Sequence, residues 1–136
     1  MKKHPEDARL QLRMLHHSGH WTEVRCLKRT PGQRLRSGGS RWIDPDESNI
    51  DEVLSWAEQK SARGFEIFVG VNPRSRKEGT KAAVTVMIAC FSDLDLKNAD
   101  DVDVARRKLL NLPASPSLVV ASGRGLHVFW LLIPTM

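Results

Sequence analysis

Residues 82–91 are almost uninterruptedly apolar and include several β-branched side chains, and they run straight into Ser92-Asp93-Leu94-Asp95. A membrane helix needs roughly 18 or more such residues, so this stretch is too short to span a bilayer. Its length and composition predict a strand covered on both faces. Successive side chains of a strand point to opposite sides, so Asp93 and Asp95 would leave the same side. A strand this apolar has no packing reason to end in two acids. Any fold for the chain must therefore deliver a pair of carboxylates to one side of a sheet.

The flanking sequence alternates between helix and strand periods. Pro5, acidic Glu6 and Asp7, and Ala8, Leu12 and Leu15 at i, i+4 and i+7 predict a helix over 5–17, stopped near Gly19. Residues 21–27 read as a strand, and 31–41 as a flexible basic loop rich in Gly and Arg. Asp44-Pro45-Asp46-Glu47 has the form of a capping box opening a second helix, with Ile50, Val53, Leu54 and Ala57 on its inner face and Gly64 after its end. Residues 65–71 form the next predicted strand, ended by Asn72-Pro73-Arg74, and 74–81 a polar, basic loop. A third helix is predicted over 101–111, capped by Asp100 or Asp101, with Val102, Ala105 and Leu109 turned inward and Pro113 beyond its end. Two last strands, 117–121 and 126–133, flank the tight turn Ser122-Gly123-Arg124-Gly125. Mixed elements ending in a hairpin define an α+β class. The chain stops at Ile133-Pro134-Thr135-Met136, directly after a strand, so residues 1–136 are expected to be one domain's N-terminal fragment.

Charge is uneven along the chain. Residues 1–41 hold ten Lys/Arg against three Asp/Glu, a surplus of +7, while the remainder is slightly acidic. A basic N-terminal third suits a polyanionic partner such as nucleic acid, although a solvated surface accounts for it equally well. Cys26 and Cys90, the two cysteines, have no metal or disulfide spacing and read as thiols of a reducing compartment. The N-terminus has no apolar signal region, so a cytoplasmic protein without a membrane partner is expected.

Two constellations carry chemistry. In Asp93-Leu94-Asp95, two like charges on one side of a strand repel, and a divalent cation relieves that repulsion. Hard oxygen ligands suit Mg²⁺ or Mn²⁺. The same tripeptide occurs at solvated strand ends and in nucleotide-sugar transferases, so by itself it is weak. In Ser122-Gly123-Arg124-Gly125-Leu126-His127, the glycines free the backbone to turn, and exposed N–H groups of such a turn cradle phosphate oxygens. Ser122, Arg124 and His127 add side-chain donors. The plain alternative is a hairpin turn followed by a core histidine.

Taken in order, acid pair, helix, then strand-turn-strand with Ser, Arg and His, the chain resembles the archaeo-eukaryotic primase superfamily. The resemblance is to the RepB-like primase domains of plasmid and phage replication proteins. It rests on Asp93-Leu94-Asp95, on Ser122-Gly123-Arg124-Gly125-Leu126-His127-Val128-Phe129-Trp130, on the approach at 112–120, on 68–74 and on Val24-Arg25, and it spans roughly residues 8–133. It implies an RRM-like, antiparallel-rich catalytic sheet with flanking helices beside an N-terminal αβ unit, incomplete at its C-terminal end. It implies template-directed nucleotidyl transfer that makes primers in DNA replication. By the resemblance, Asp93 and Asp95 hold the catalytic Mg²⁺ or Mn²⁺. Ser122, Gly123, Arg124, Gly125 and His127 hold the nucleoside triphosphate, with His127 counted among the catalytic groups. Arg74 is a further phosphate or template contact, set against a solvated loop arginine. The partners implied are a DNA template, nucleoside triphosphates and a replicative helicase or helicase domain. The family's third motif, an acid on a later strand, has no counterpart here, and Asp100, Asp101 and Asp103 belong to a helix start. By the resemblance, the metal site of this chain is expected to lack its third carboxylate.

Other classes fit less well. A rolling-circle nuclease needs a tyrosine nucleophile, and the sequence has no tyrosine. The serious rival is a non-catalytic nucleic-acid-binding or nucleotide-binding module. It would use Arg34, Arg36 and Arg41 on phosphates, and in principle Trp21, Trp42, Trp56 and Trp130 on bases, although Trp56 and Trp130 are better placed for a core. His16, His17, His20 and Cys26 match no zinc spacing.

Overall fold

The structure, a computed structural model, describes residues 5–121 and 125–132. It has an α+β architecture, with three α-helices and two three-stranded antiparallel sheets among the described residues. The chain divides into two compact units, Met1–Met87 and Ile88–Met136. No described helix is long and apolar enough to cross a membrane.

The first unit holds α1 (Pro5–Leu15), β1 (Thr22–Lys28), β2 (Arg36–Ile43), α2 (Ile50–Ala62), β3 (Glu66–Val69) and a 3-10 turn at Lys81–Ala83. Its sheet has the order β2-β1-β3. On β1, Thr22, Val24 and Cys26 are buried, as a strand with one covered face requires. Val24 joins Leu12, Ile43, Ile50 and Val53 in a core cluster, with Leu54, Trp56, Ile67 and Val69 packed against it. The apolar faces expected of α1 and α2 thus meet one side of this sheet.

Two expectations for this unit are corrected. The basic segment 31–41 is not a loop throughout, because Arg36 onward forms β2 along β1. Composition concealed it: strand pairing here draws on backbone groups, and a bulge accommodates the glycines. The register shifts between Cys26 and Leu27, and Gly39 takes a φ of 97°, a conformation that favours glycine. The capping box does not form either. Helix α2 begins at Ile50, after Asn49, whose side chain accepts from the Asp44 amide (2.8 Å) and donates to the Trp42 carbonyl (2.9 Å). Asp46 instead accepts from the Ser48 amide (3.1 Å), an Asx-type turn that competes with helix initiation.

The second unit holds β4 (Ala89–Asp95), α3 (Ala99–Leu110), β5 (Leu118–Ala121) and β6 (Gly125–Leu131). The strand order is β4-β6-β5, so the last strand is inserted between the first two, a split β-α-β arrangement. Leu109, Leu126 and Val128 form its core cluster, with Leu94, Leu96, Val102, Ala105, Val119 and Trp130 packed against it. Val102, Ala105 and Leu109 therefore face inward, as their spacing predicts. The helix cap is Asn98, whose side chain accepts from the Asp101 amide (2.9 Å), rather than Asp100 or Asp101.

The strand expected over 82–91 is displaced. Residues 81–83 form the 3-10 turn, held by the Ser75 amide donating to the Ala83 carbonyl (2.7 Å), and the ladder begins at Ala89. Nor is the strand covered on both faces: β4 lies at an edge of its sheet, with Cys90 and Phe91 exposed. Apolarity marked a strand, but the partner β6 decides where the ladder starts and stops. The ladder runs on through Asp93 and Asp95, on which β4 ends.

Candidate functional site

The burial of β4 alternates at its C-terminal end: Asp93 exposed, Leu94 half-buried, Asp95 exposed. Leu94 packs with the α3 cluster, so both carboxylates leave the opposite side of the sheet. The antiparallel register sets Phe91 opposite Phe129, Asp93 opposite His127 and Asp95 opposite Gly125. Directly opposed residues of an antiparallel pair have neighbouring side chains. Accordingly, His127 Nε2 lies 3.4 Å from Asp93 Oδ1, with the two side chains 29% and 60% exposed. The Phe91 ring stands edge-on to the His127 imidazole at 5.7 Å between centroids and tilts against Phe129 at 5.2 Å.

The sheet thus brings together Asp93 and His127, two of the residues the sequence singles out, and places Asp95 one rung away. Phe91 joins them, a neighbour the sequence reading passed over. Its signal was the period of two counted back from Asp93.

Gly125 has a second duty. It is buried opposite Asp95, and a Cβ there would overlap the Leu94 carbonyl oxygen and come 3.1 Å from the Leu96 amide nitrogen. The absence of a side chain is required by strand pairing. Ser122, Gly123 and Arg124, expected to bind triphosphate, lie outside the described residues.

Arg74 belongs to the first unit. Its backbone forms a bridge with Trp21, each amide donating to the other's carbonyl at 2.7 Å. Its Nη1 donates to the Asn72 carbonyl and, at 3.4 Å, to the Val71 carbonyl, and its Nε is buried without a hydrogen-bond partner. The guanidinium is turned onto its own loop, where Asn72 holds a φ of 65°.

Among the described residues no set of three His, Cys, Asp or Glu side chains converges as a metal-binding group. Asp93 and Asp95 supply oxygen donors of the kind a hard divalent cation takes, but as a partial set that water and phosphate oxygens must complete. The histidine-rich helix end holds no such group: His16 contacts Thr22 Oγ1 (2.8 Å) and the Pro45 carbonyl (3.3 Å), one through each ring nitrogen. Trp56 and Trp130 pack against their core clusters, and Trp130 Nε1 donates to the Ala114 carbonyl at 3.0 Å.

These features define an α+β chain whose split β-α-β sheet displays an acid–imidazole pair on the face opposite its helix. Comparison with family models, with curated proteins and with solved structures finds no match.

Proposed function

We propose that the chain is the core of a metal-dependent nucleotidyl transferase of the RepB-like primase type, acting on a DNA template with nucleoside triphosphates. The observation that carries this reading is the 3.4 Å approach of His127 to Asp93 across adjacent strands. A carboxylate that holds a divalent cation and an imidazole that holds a phosphate must be near neighbours, because the same phosphate oxygens contact both. A bound Mg²⁺ or Mn²⁺ would supply charge stabilisation to the phosphoryl group. Asp93 and Asp95 would hold it from one side of β4. His127 would donate a ring N–H to a phosphate oxygen, with Ser122 and Arg124 adding side-chain donors. The chain's contribution is the placement of charge.

The test is calorimetric. Asp93→Asn is expected to weaken Mn²⁺ binding at least about tenfold, roughly 1.4 kcal/mol, with an unchanged circular dichroism spectrum. His127→Ala is expected to weaken nucleoside triphosphate binding more than binding of single-stranded DNA. Unchanged Mn²⁺ affinity in the first variant, or equal losses on both ligands in the second, overturns the proposal.

The rival reading, a non-catalytic nucleic-acid-binding module, draws on a different surface, a groove on the first unit.

A further inference from the structure

Between β2 and α2 lies an open groove of about 640 Å³, lined among others by Ser40, Arg41, Trp42, Trp56, Gln59 and Lys77. Two of its lining residues are indoles, two are cations and one, Glu52, is a carboxylate. Both cations stand over aromatic rings. The Arg41 guanidinium lies over the Trp56 ring, 5.1 Å from its centroid, and its hydrogen bond goes to the Ser40 carbonyl at 3.1 Å. The Lys77 ammonium lies over the Trp21 ring at 5.5 Å. Neither forms an ion pair with a carboxylate among the described residues, whereas Arg9, Arg25 and Arg76 of the same unit each do.

An indole face orients a cation without neutralising it. Arg41 and Lys77 therefore keep their full charge for an anion in the groove. Trp56 is half-buried, so it is held by the protein while part of it faces the opening; Trp42, also half-buried, lines the groove from the adjacent position of β2, its side chain on the other side of the strand from Arg41. Trp56 is further braced by the core cluster beneath it. Fixed aromatic surface beside unpaired cations matches a ligand that alternates flat bases with phosphates. A duplex hides its base faces, so the ligand must be single-stranded.

We propose that this groove is a binding site for single-stranded nucleic acid, with Arg41 and Lys77 on phosphates and the Trp56 indole against a base. The site is independent of the metal-dependent reading: a chain with no transferase activity would still carry it.

The test uses the full chain and fluorescence anisotropy with labelled dT20, U20 and a duplex of equal length, over a range of KCl concentrations. The double variant Arg41→Ala/Lys77→Ala touches exposed side chains only. It is expected to lose about tenfold in affinity for a single strand and to lower the slope of log K against log salt by roughly 1.4, the loss of two phosphate contacts at about 0.7 each. Duplex binding is expected to change less than threefold. A control pair, Arg29→Ala/Arg63→Ala, removes equal charge from exposed residues outside the groove and is expected to change single-strand affinity less than twofold. The dT20 and U20 arms show which sugar the natural strand carries. An unchanged double variant, an equal loss in the control pair, an equal loss on duplex, or no single-strand binding at low salt overturns the proposal.

Discussion

Asp93 and His127 are thirty-four positions apart in the sequence and 3.4 Å apart in the structure. What unites them is register: a slip of one residue between β4 and β6 would send His127 to the opposite face. Gly125 helps to set that register, because β4 approaches it too closely for any side chain. Gly125→Ala is therefore expected to destabilise the chain by roughly 3 kcal/mol, the upper range for forcing extra volume into a packed site, measured by urea unfolding. A neutral substitution would show that β4 and β6 pair differently. Both acids were legible as a same-face pair from their spacing alone. Their proximity to the imidazole was not, since spacing along one strand says nothing about which strand lies beside it.

Helices proved more readable than their boundaries. The inward faces of α2 and α3 follow from the period of their apolar residues, and Ile50, Val53 and Leu109 are buried as that period requires. Caps were misplaced because Asp and Asn compete for the same backbone amides, and turn geometry decides between them. Asn98 caps α3, so Asn98→Ala is expected to cost about 1 kcal/mol in chemical unfolding, whereas Asp100→Ala, which removes no cap, is expected to cost less. Equal losses would return the cap to the position the sequence suggested. Strand β2 was missed for a different reason. Arg-Ser-Gly-Gly-Ser-Arg has neither β-branched residues nor alternation, and it becomes a strand because β1 offers a partner ladder and the bulge at Gly38 and Gly39 absorbs the irregularity.

At the scale of the whole chain, each unit has a central strand flanked on both sides, β1 in the first and β6 in the second. Central strands combine two ladders with buried side chains, so their amides open only through large-scale unfolding. Hydrogen exchange is expected to be slowest in Val24–Cys26 and Leu126–Phe129 and at least about tenfold faster in β5 and the outer half of β2. Uniform protection across each sheet would contradict that ranking. The amino-acid sequence by itself determined the α+β class, the inner faces of the helices, the same-side acids and the basic bias of residues 1–41, because each depends on local period, local composition or simple charge counting. Tertiary structure alone decided that β4 is an edge strand, that Asp93 meets His127, and that Arg41 and Lys77, each over an indole, line one groove. Those outcomes depend on which distant segments pair, and a backbone ladder forms with almost any side chains that its two faces can accommodate.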